Sequence, residues 1–165
     1  MLAVGCSAGR KEKDEAIIRL NILALMRMCR LALPIMCRKQ SGTIVNIGST
    51  LSFAPTAGEA VYSASKAFVL SFGQALYEEM KGYGVRVLTV CPGVTATNFF
   101  TSTGFHMGSF HAATPEDFSS FAYRQIKKGK ALSVHRFRNQ ATSVFSRLAP
   151  RGVVRRIFAS ACNSH

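Results

Sequence analysis

Two short runs constrain this chain more than anything else in it: Thr-Ile-Val-Asn-Ile at 43–47 and Val-Arg-Val-Leu-Thr-Val-Cys at 85–91. Both are rich in β-branched residues and follow turn signals, Ser41-Gly42 before the first and Gly82-Tyr83-Gly84 before the second. The apolar residues of the first do not alternate cleanly, which suits a strand covered on both faces of its sheet, and the second reads as the next buried strand. A helical pattern precedes each. Over 13–38, apolar residues recur at Ile17, Leu20, Leu23, Ala24, Met28, Leu31 and Ile35, with Pro34 expected to bend or end the last turn. Over 60–81, Phe68, Val69, Phe72, Leu76 and Met80 recur similarly. Helix, strand, helix, strand with short links argues for a parallel α/β sheet with right-handed crossovers.

Downstream the pattern is looser. Residues 52–59, with Pro55 and Gly58, read as a loop, as do residues 99–113, which are rich in Phe, Ser, Thr, Gly and His without a period. Thr114-Pro115-Glu116-Asp117 is a helix start: a capping hydroxyl, a proline at the first helical position, then acids at the positive end of the dipole. That helix should run to about Lys128, and 131–134 should form a short strand closing the sheet's edge. The domain is expected to occupy 1–135, with 136–165 as a basic helical extension. There Ala141, Val144, Phe145 and Leu148 share one helical face, as do Val153, Val154, Ile157 and Phe158 after Pro150, with Arg147, Arg151, Arg155 and Arg156 largely opposite. Such a pair fits peripheral contact with an anionic membrane surface. Packing against the domain or a second subunit, arginines solvated, fits as well and is the preferred reading.

At 165 residues the chain is one domain by length, and 48% apolar against 18% charged residues argues against a disordered body. Five scattered cysteines without a C-x-x-C pair suit reduced thiols in a cytoplasmic protein. No secretory signal and no uncharged run of ~20 apolar residues is evident; Arg27 and Arg30 interrupt the greasiest stretch. The net charge of +13 attracts anions, and ten of the 21 basic residues lie from Arg124 onward, where no acid follows Asp117. No nucleic-acid motif accompanies that charge, so no specific nucleic-acid binding is expected. His106, His111 and His135 lack metal-ligand spacing and are expected at the surface; no metal site is expected.

The chemistry is carried by Tyr62-Ser63-Ala64-Ser65-Lys66. A phenol and an ammonium four residues apart share one helical face, and the positive charge favours the phenolate of a group whose ordinary pKa is about 10. Alone, this spacing is a weak signal, since it usually marks a solvated helix face. Its surroundings sharpen it. Ser49 stands thirteen residues before Tyr62, Asn21 lies in the preceding helix, and Cys91-Pro92-Gly93-Val94-Thr95-Ala96-Thr97 follows the next strand. Taken singly, Ser49 could be a strand-end cap, Asn21 a helix-face polar residue and Thr97 a turn former.

Together, in this order and spacing, these motifs resemble the short-chain dehydrogenase/reductase family, well over about 16–100 and loosely beyond. The resemblance implies a partial Rossmann-like, doubly wound parallel sheet lacking most of its N-terminal dinucleotide-binding half. Gly5 and Gly9 keep part of the glycine-rich spacing, but Lys11 stands where a third glycine belongs; residues 2–9 also look like the segment ending the family's fourth strand. The resemblance further implies NAD- or NADP-dependent hydride transfer to a small carbonyl or from a secondary alcohol. Tyr62 would be the acid/base, Lys66 its pKa modulator and a ribose ligand, Ser49 a hydrogen-bond donor to the substrate oxygen, and Asn21 the holder of a water leading to Lys66 in a locally distorted helix. Pro92, Gly93, Val94 and Thr97 would contact the nicotinamide amide, residues 99–113 would be the substrate loop, and the two long helices would build a homo-oligomer. The alternative is a non-catalytic remnant or interaction module, motivated by the missing cofactor half.

Overall fold

The structure, a computed structural model, describes residues 11–96 and 112–163, with side chains through 158. Strands β1 (Gly42–Ile47), β2 (Val85–Cys91) and β3 (Leu132–Val134) form a parallel sheet in the order β1-β2-β3. Its register runs from Gly42 opposite Val85 to Ile47 opposite Val90, and from Thr89 opposite Leu132 to Cys91 opposite Val134. Parallel neighbours require crossovers, and α3 (Ala60–Met80) and α4 (Pro115–Lys128) supply them. The α/β class and the parallel sheet expected from the sequence are therefore what the chain forms.

β2 is the centre of the core. Every one of its side chains but Arg86 is buried, as a strand covered on both faces requires. Its Val87 packs with Cys29 and Leu76, joined by Leu33, Ile44 and Phe72. Each such apolar side chain contributes on the order of 1.5–3 kcal/mol by leaving water. After α3 the chain turns back through Gly84, whose φ of 66° lies in the left-handed region and whose missing Cβ would overlap the Gln40 carbonyl. Among the described residues β1 pairs only with β2, so its other edge carries no strand.

The first helix is continuous but not uniform: α1 (Lys11–Ile18), a π-helical stretch at Arg19–Ala24, then α2 (Leu25–Lys39). Pro34 does not stop it. The ring lies at an exposed position, where the carbonyl it leaves unbonded can turn to water, and α2 runs on to Lys39. The apolar stripe expected from the sequence is not the core-facing side. Leu20, Leu23, Met28, Leu31 and Ile35 are exposed, while Cys29 and Leu33, well round the helix from them, meet the core. By length and composition the helix over Lys11–Lys39 could cross a membrane, a test that core helices also pass.

Thr114 caps α4 through the Asp117 N–H at 3.1 Å, with Pro115 at the first helical position. This places Asp117 beside His135, which corrects the expectation of a surface histidine. His135 is only 4% exposed, its Nε2 lies 3.5 Å from Asp117 Oδ2, and Phe118 and Phe121 flank its ring. α5 (Phe137–Leu148) and α6 (Arg151–Asn163) complete the chain. The expected apolar faces here are only partly used: Val154 is buried, whereas Val144, Phe145 and Leu148 are exposed.

Candidate active site

The ends of β1 and β2 hold the expected residues together. Beyond Ile47, the Gly48 N–H bonds Val90 O and the Thr50 N–H bonds Pro92 O, both at 2.9 Å. The turn carrying Ser49 is thus fastened to the Pro92-Gly93 turn. Ser49 has extended backbone and caps a 3₁₀ turn, Thr50–Phe53. Its Oγ accepts the Leu51 N–H at 3.1 Å, while its own N–H donates to Ser52 Oγ at 3.1 Å. With the Leu51 N–H occupying one lone pair, the Ser49 hydroxyl bonds the Tyr62 side chain. Ser49 is therefore both a cap and a partner of Tyr62; the two readings coexist.

α3 supplies the rest. Lys66 Nζ lies 5.7 Å from the Tyr62 ring centroid and donates to Ile47 O at 3.0 Å. Asn21 sits in the π-helical stretch, a distortion often found at functional sites. Its Nδ2 donates to Ser65 Oγ at 3.0 Å, and Ser65 Oγ donates to Tyr62 O at 2.7 Å, so Asn21 braces the backbone of the tyrosine. The distance from sequence to site is short for Tyr62 and Lys66, one turn of one helix. For Asn21 and Ser49 it is long-range folding that brings them in.

The electrostatics differ from the expectation that Lys66 lowers the Tyr62 pKa. Burial raises Tyr62 above its ordinary 10.0, the Ser49 hydrogen bond partly opposes this, and nearby Glu59 and Cys91 add to the rise. Burial also lowers Lys66 from 10.5, offset in part by Cys91. Cys91, fully buried at the end of β2, is pushed up to about 11 by burial, with the Ser49 backbone, Lys66 and Ser52 pulling the other way. Cys91, Ser52 and Ser65 are the members that sequence reasoning missed. The spacing of Ser49 and Ser52 resembles a capping box and hinted at one of them; nothing marked the other two.

The Pro92–Val94 turn is held from below. Thr95 Oγ1 donates to Gly93 O at 3.2 Å, Val94 O accepts the Ala113 N–H at 2.9 Å, and a Cβ on Gly93 would overlap the Asn139 amide, which itself donates to His135 O at 2.7 Å. Thr97 and nearly all of 99–113 lie outside the described residues. No group of three or more potential metal ligands occurs among the described residues.

Ser49, Tyr62 and Lys66 thus gather at the carboxyl ends of the parallel strands. The family model for short chain dehydrogenases matches residues 5–106, and the chain belongs to that family. It is 38% identical over 104 residues to a very-long-chain 3-oxoacyl-CoA reductase of Anas platyrhynchos, covering 63% of this chain and 32% of that one. It is 39% identical over 107 residues to an NADP-dependent 3-hydroxy acid dehydrogenase of Salmonella typhi, covering 63% and 43%. A short-chain dehydrogenase from Sphingobium yanoikuyae, solved in complex with NADPH, superposes with a TM-score of 0.74 at 28% identity, over 87% of this chain and 57% of that one. The chain thus spans well under two thirds of the length of these relatives.

Proposed function

We propose that this chain carries the catalytic part of an NAD- or NADP-dependent oxidoreductase that reduces a small-molecule carbonyl to a secondary alcohol, or the reverse. The observation that carries the reading is the Ser49–Tyr62 hydrogen bond with Lys66 one turn away, all at the carboxyl end of the sheet. A bound nicotinamide supplies or receives the hydride. Tyr62 gives its phenolic proton to the carbonyl oxygen in reduction and takes it back in oxidation. Ser49 donates to the same oxygen and spreads the charge developing there. Asn21 holds the turn of α3 that carries Tyr62 and, through a water, links Lys66 to solvent.

The donor set fits the nicotinamide–ribose end of such a cofactor. Lys66, half-buried with mobile donors, and Tyr62 would hold the ribose hydroxyls. The backbone of Pro92, Gly93 and Val94, together with Thr97, would hold the amide. The described residues contain no glycine-rich strand-to-helix turn of the kind that cradles a pyrophosphate. The exposed stripe of Leu20, Met28 and Leu31 supports a homo-oligomer built through the two long helices, the one over 11–39 and α3, and the domain is read as 1–135 with 136–165 as its basic extension. We place the protein in the cytoplasm, with contact of the extension to a membrane surface as a subsidiary role.

In the purified protein, Tyr62→Phe should abolish cofactor-dependent carbonyl reduction; activity that survives the change removes Tyr62 from the mechanism. One observation favours a second reading, a non-catalytic interaction module: Lys66 is engaged by Ile47 O and the Tyr62 pKa is raised. Titrating NADPH and NADH and following nicotinamide fluorescence separates the two, since micromolar binding speaks for the enzyme.

A further inference from the structure

α5 presents its two faces in the reverse of the usual order. At roughly 100° per residue, Phe137, Ala141, Val144, Phe145 and Leu148 fall within about a quarter to a third of its circumference, and all five are exposed. Phe137 in the first turn is 82% exposed and Leu148 in the last is 81%. Asn139 and Ser143 stand on the opposite side, toward the protein. Asn139 Nδ2 donates to His135 O at 2.7 Å, and Ser143 is buried, its Oγ donating to Gln140 O at 2.8 Å. A surface helix ordinarily lays its apolar stripe on the core and its polar side in water. Here the stripe faces outward, so hydrophobic burial rewards whatever covers it.

Charge narrows the choice of partner. Arg138 flanks the stripe on one side and Arg147 on the other, both exposed and neither in an ion pair among the described residues. No acidic residue follows Asp117, so the surround of the stripe carries only positive side chains. A second copy docked about a two-fold axis would set these arginines against their own images with no carboxylate between them, a like-charge contact that opposes association. A bilayer with anionic headgroups meets both requirements: its acyl region takes protruding Phe and Leu side chains, while arginines flanking them reach the phosphates. We propose that α5 docks this protein on an anionic bilayer, lying in the interface plane with Phe137, Phe145 and Leu148 inserted and Arg138 and Arg147 at the headgroups. The proposal rests on reading the extension as a membrane-contacting segment, and it assigns that contact to one face of one helix. Asn139, opposite the stripe, packs on Gly93, so α5 then lies between the Pro92–Gly93 turn and the bilayer.

The chain contains no tryptophan, so a single introduced one reports its own surroundings. The test uses the full chain carrying Phe137→Trp or Leu148→Trp, with Tyr83→Trp as control, since Tyr83 is exposed and precedes β2 at the opposite, amino end of the sheet. Vesicles are phosphatidylcholine alone, or in equal parts with phosphatidylglycerol. With the anionic vesicles, emission of both α5 reporters should shift to the blue and be quenched by brominated acyl chains, while Tyr83→Trp stays unchanged. In vesicle sedimentation, binding should be at least about tenfold weaker to neutral vesicles, about tenfold weaker for Phe137→Ser/Leu148→Ser and about fivefold weaker for Arg138→Gln, with Arg138→Lys close to wild type. Arg138 is the arginine to change because Arg147 also lies over the Phe53 ring. These positions are exposed, so urea midpoints should hold. No blue shift, or an equal shift in Tyr83→Trp, overturns the proposal. So does vesicle binding untouched by Phe137→Ser/Leu148→Ser, which leaves adsorption of charge alone. A blue shift without vesicles, accompanied by a doubled mass in light scattering, assigns the stripe to a second copy and overturns it too. Vesicle binding needs no nicotinamide, so Tyr62→Phe should bind as wild type does, and the oxidoreductase reading stands or falls separately.

Discussion

Gly73 is where the seating of α3 can be measured. It lies on α3 against β2, and a methyl group there would overlap the Thr89 hydroxyl and come to 2.9 Å from Asn46 Nδ2. Thr89 and Asn46 are 0% and 1% exposed, so neither can yield by turning into water. Overpacking of this kind costs about 1–3 kcal/mol, while alanine in place of glycine inside a helix returns about 1 kcal/mol. Gly73→Ala should therefore lose about 0–2 kcal/mol in the wild-type background. In Thr89→Ala the hydroxyl is gone and the nearest remaining atom of residue 89, its Cβ, stands 3.5 Å away. The 2.9 Å approach to Asn46 Nδ2 remains, but Asn46 can move into the space the hydroxyl vacates, so there the same change should stabilise by about 1 kcal/mol, giving a coupling energy of about 1–3 kcal/mol. Urea unfolding of the four proteins reads it directly. Because Tyr62 is eleven residues up the same helix, about 16 Å away, a displaced α3 should also weaken the Ser49–Tyr62 bond and move the alkaline titration of Tyr62. Additive effects, agreeing within about 0.5 kcal/mol, would mean that α3 does not rest on Thr89 and that the packing drawn from these distances is wrong.

Two further predictions concern pH. Burial holds Cys91 up at about 11 against an ordinary 9.0, so its contribution to stability is complete below pH 9 and is lost as pH rises toward 11, on the order of 3 kcal/mol in all; Cys91→Ala should flatten the fall of the urea midpoint over that range, and an unchanged slope would count against the buried thiol. Burial lowers His135 from 6.5, so its contribution is present above pH 6.5 and is lost as pH falls through the depressed value; His135→Phe, which suits Phe118 and Phe121 and removes a buried Nδ1 without a hydrogen-bond partner among the described residues, should make stability less acid-sensitive, and a steeper acid loss would contradict this.

What could be read from the sequence follows the range of the interactions involved. β1, β2, α3 and the Thr114-capped α4 were legible because periodicity, β-branching and capping act within a few residues. The 3₁₀ turn at Thr50–Phe53, whose second half falls in the loop expected at 52–59, went unread because its capping box closes on Ser52 and not on Glu or Gln, the usual partner. The stripe through Leu20 and Leu31 was legible as a helix signature but not in direction: a helix with apolar residues on more than one side does not say which of them meets the sheet. His135 was misread for a related reason. Its carboxylate, Asp117, is eighteen residues away, and only the return of α4 to β3 joins them. Ser49, Tyr62 and Lys66 were legible as a constellation through resemblance, yet the brace from Asn21 through Ser65 to Tyr62 O was not, since Asn21 and Ser65 are 44 residues apart and only folding joins them.

The Tyr62–Lys66 pair shows how burial changes the meaning of a spacing. At an effective dielectric of about 20, a unit charge roughly 6 Å from a phenolate is worth about 3 kcal/mol, enough to lower the phenol by about two pKa units if the charge persists. Burial works against both charged forms here: it lowers Lys66 from 10.5 and raises Tyr62 from 10.0, so the pairing does not bring the phenol below its ordinary value. Lys66 Nζ also spends one donor on Ile47 O. What remains to favour the phenolate is the Ser49 hydroxyl, and it does not outweigh burial. At neutral pH the Tyr62 phenol, held above 10.0, is therefore protonated. On the mechanism proposed above, that is the state that gives a proton to a carbonyl oxygen in reduction, whereas oxidation of an alcohol would first require Tyr62 to lose its proton against the cost of its own burial.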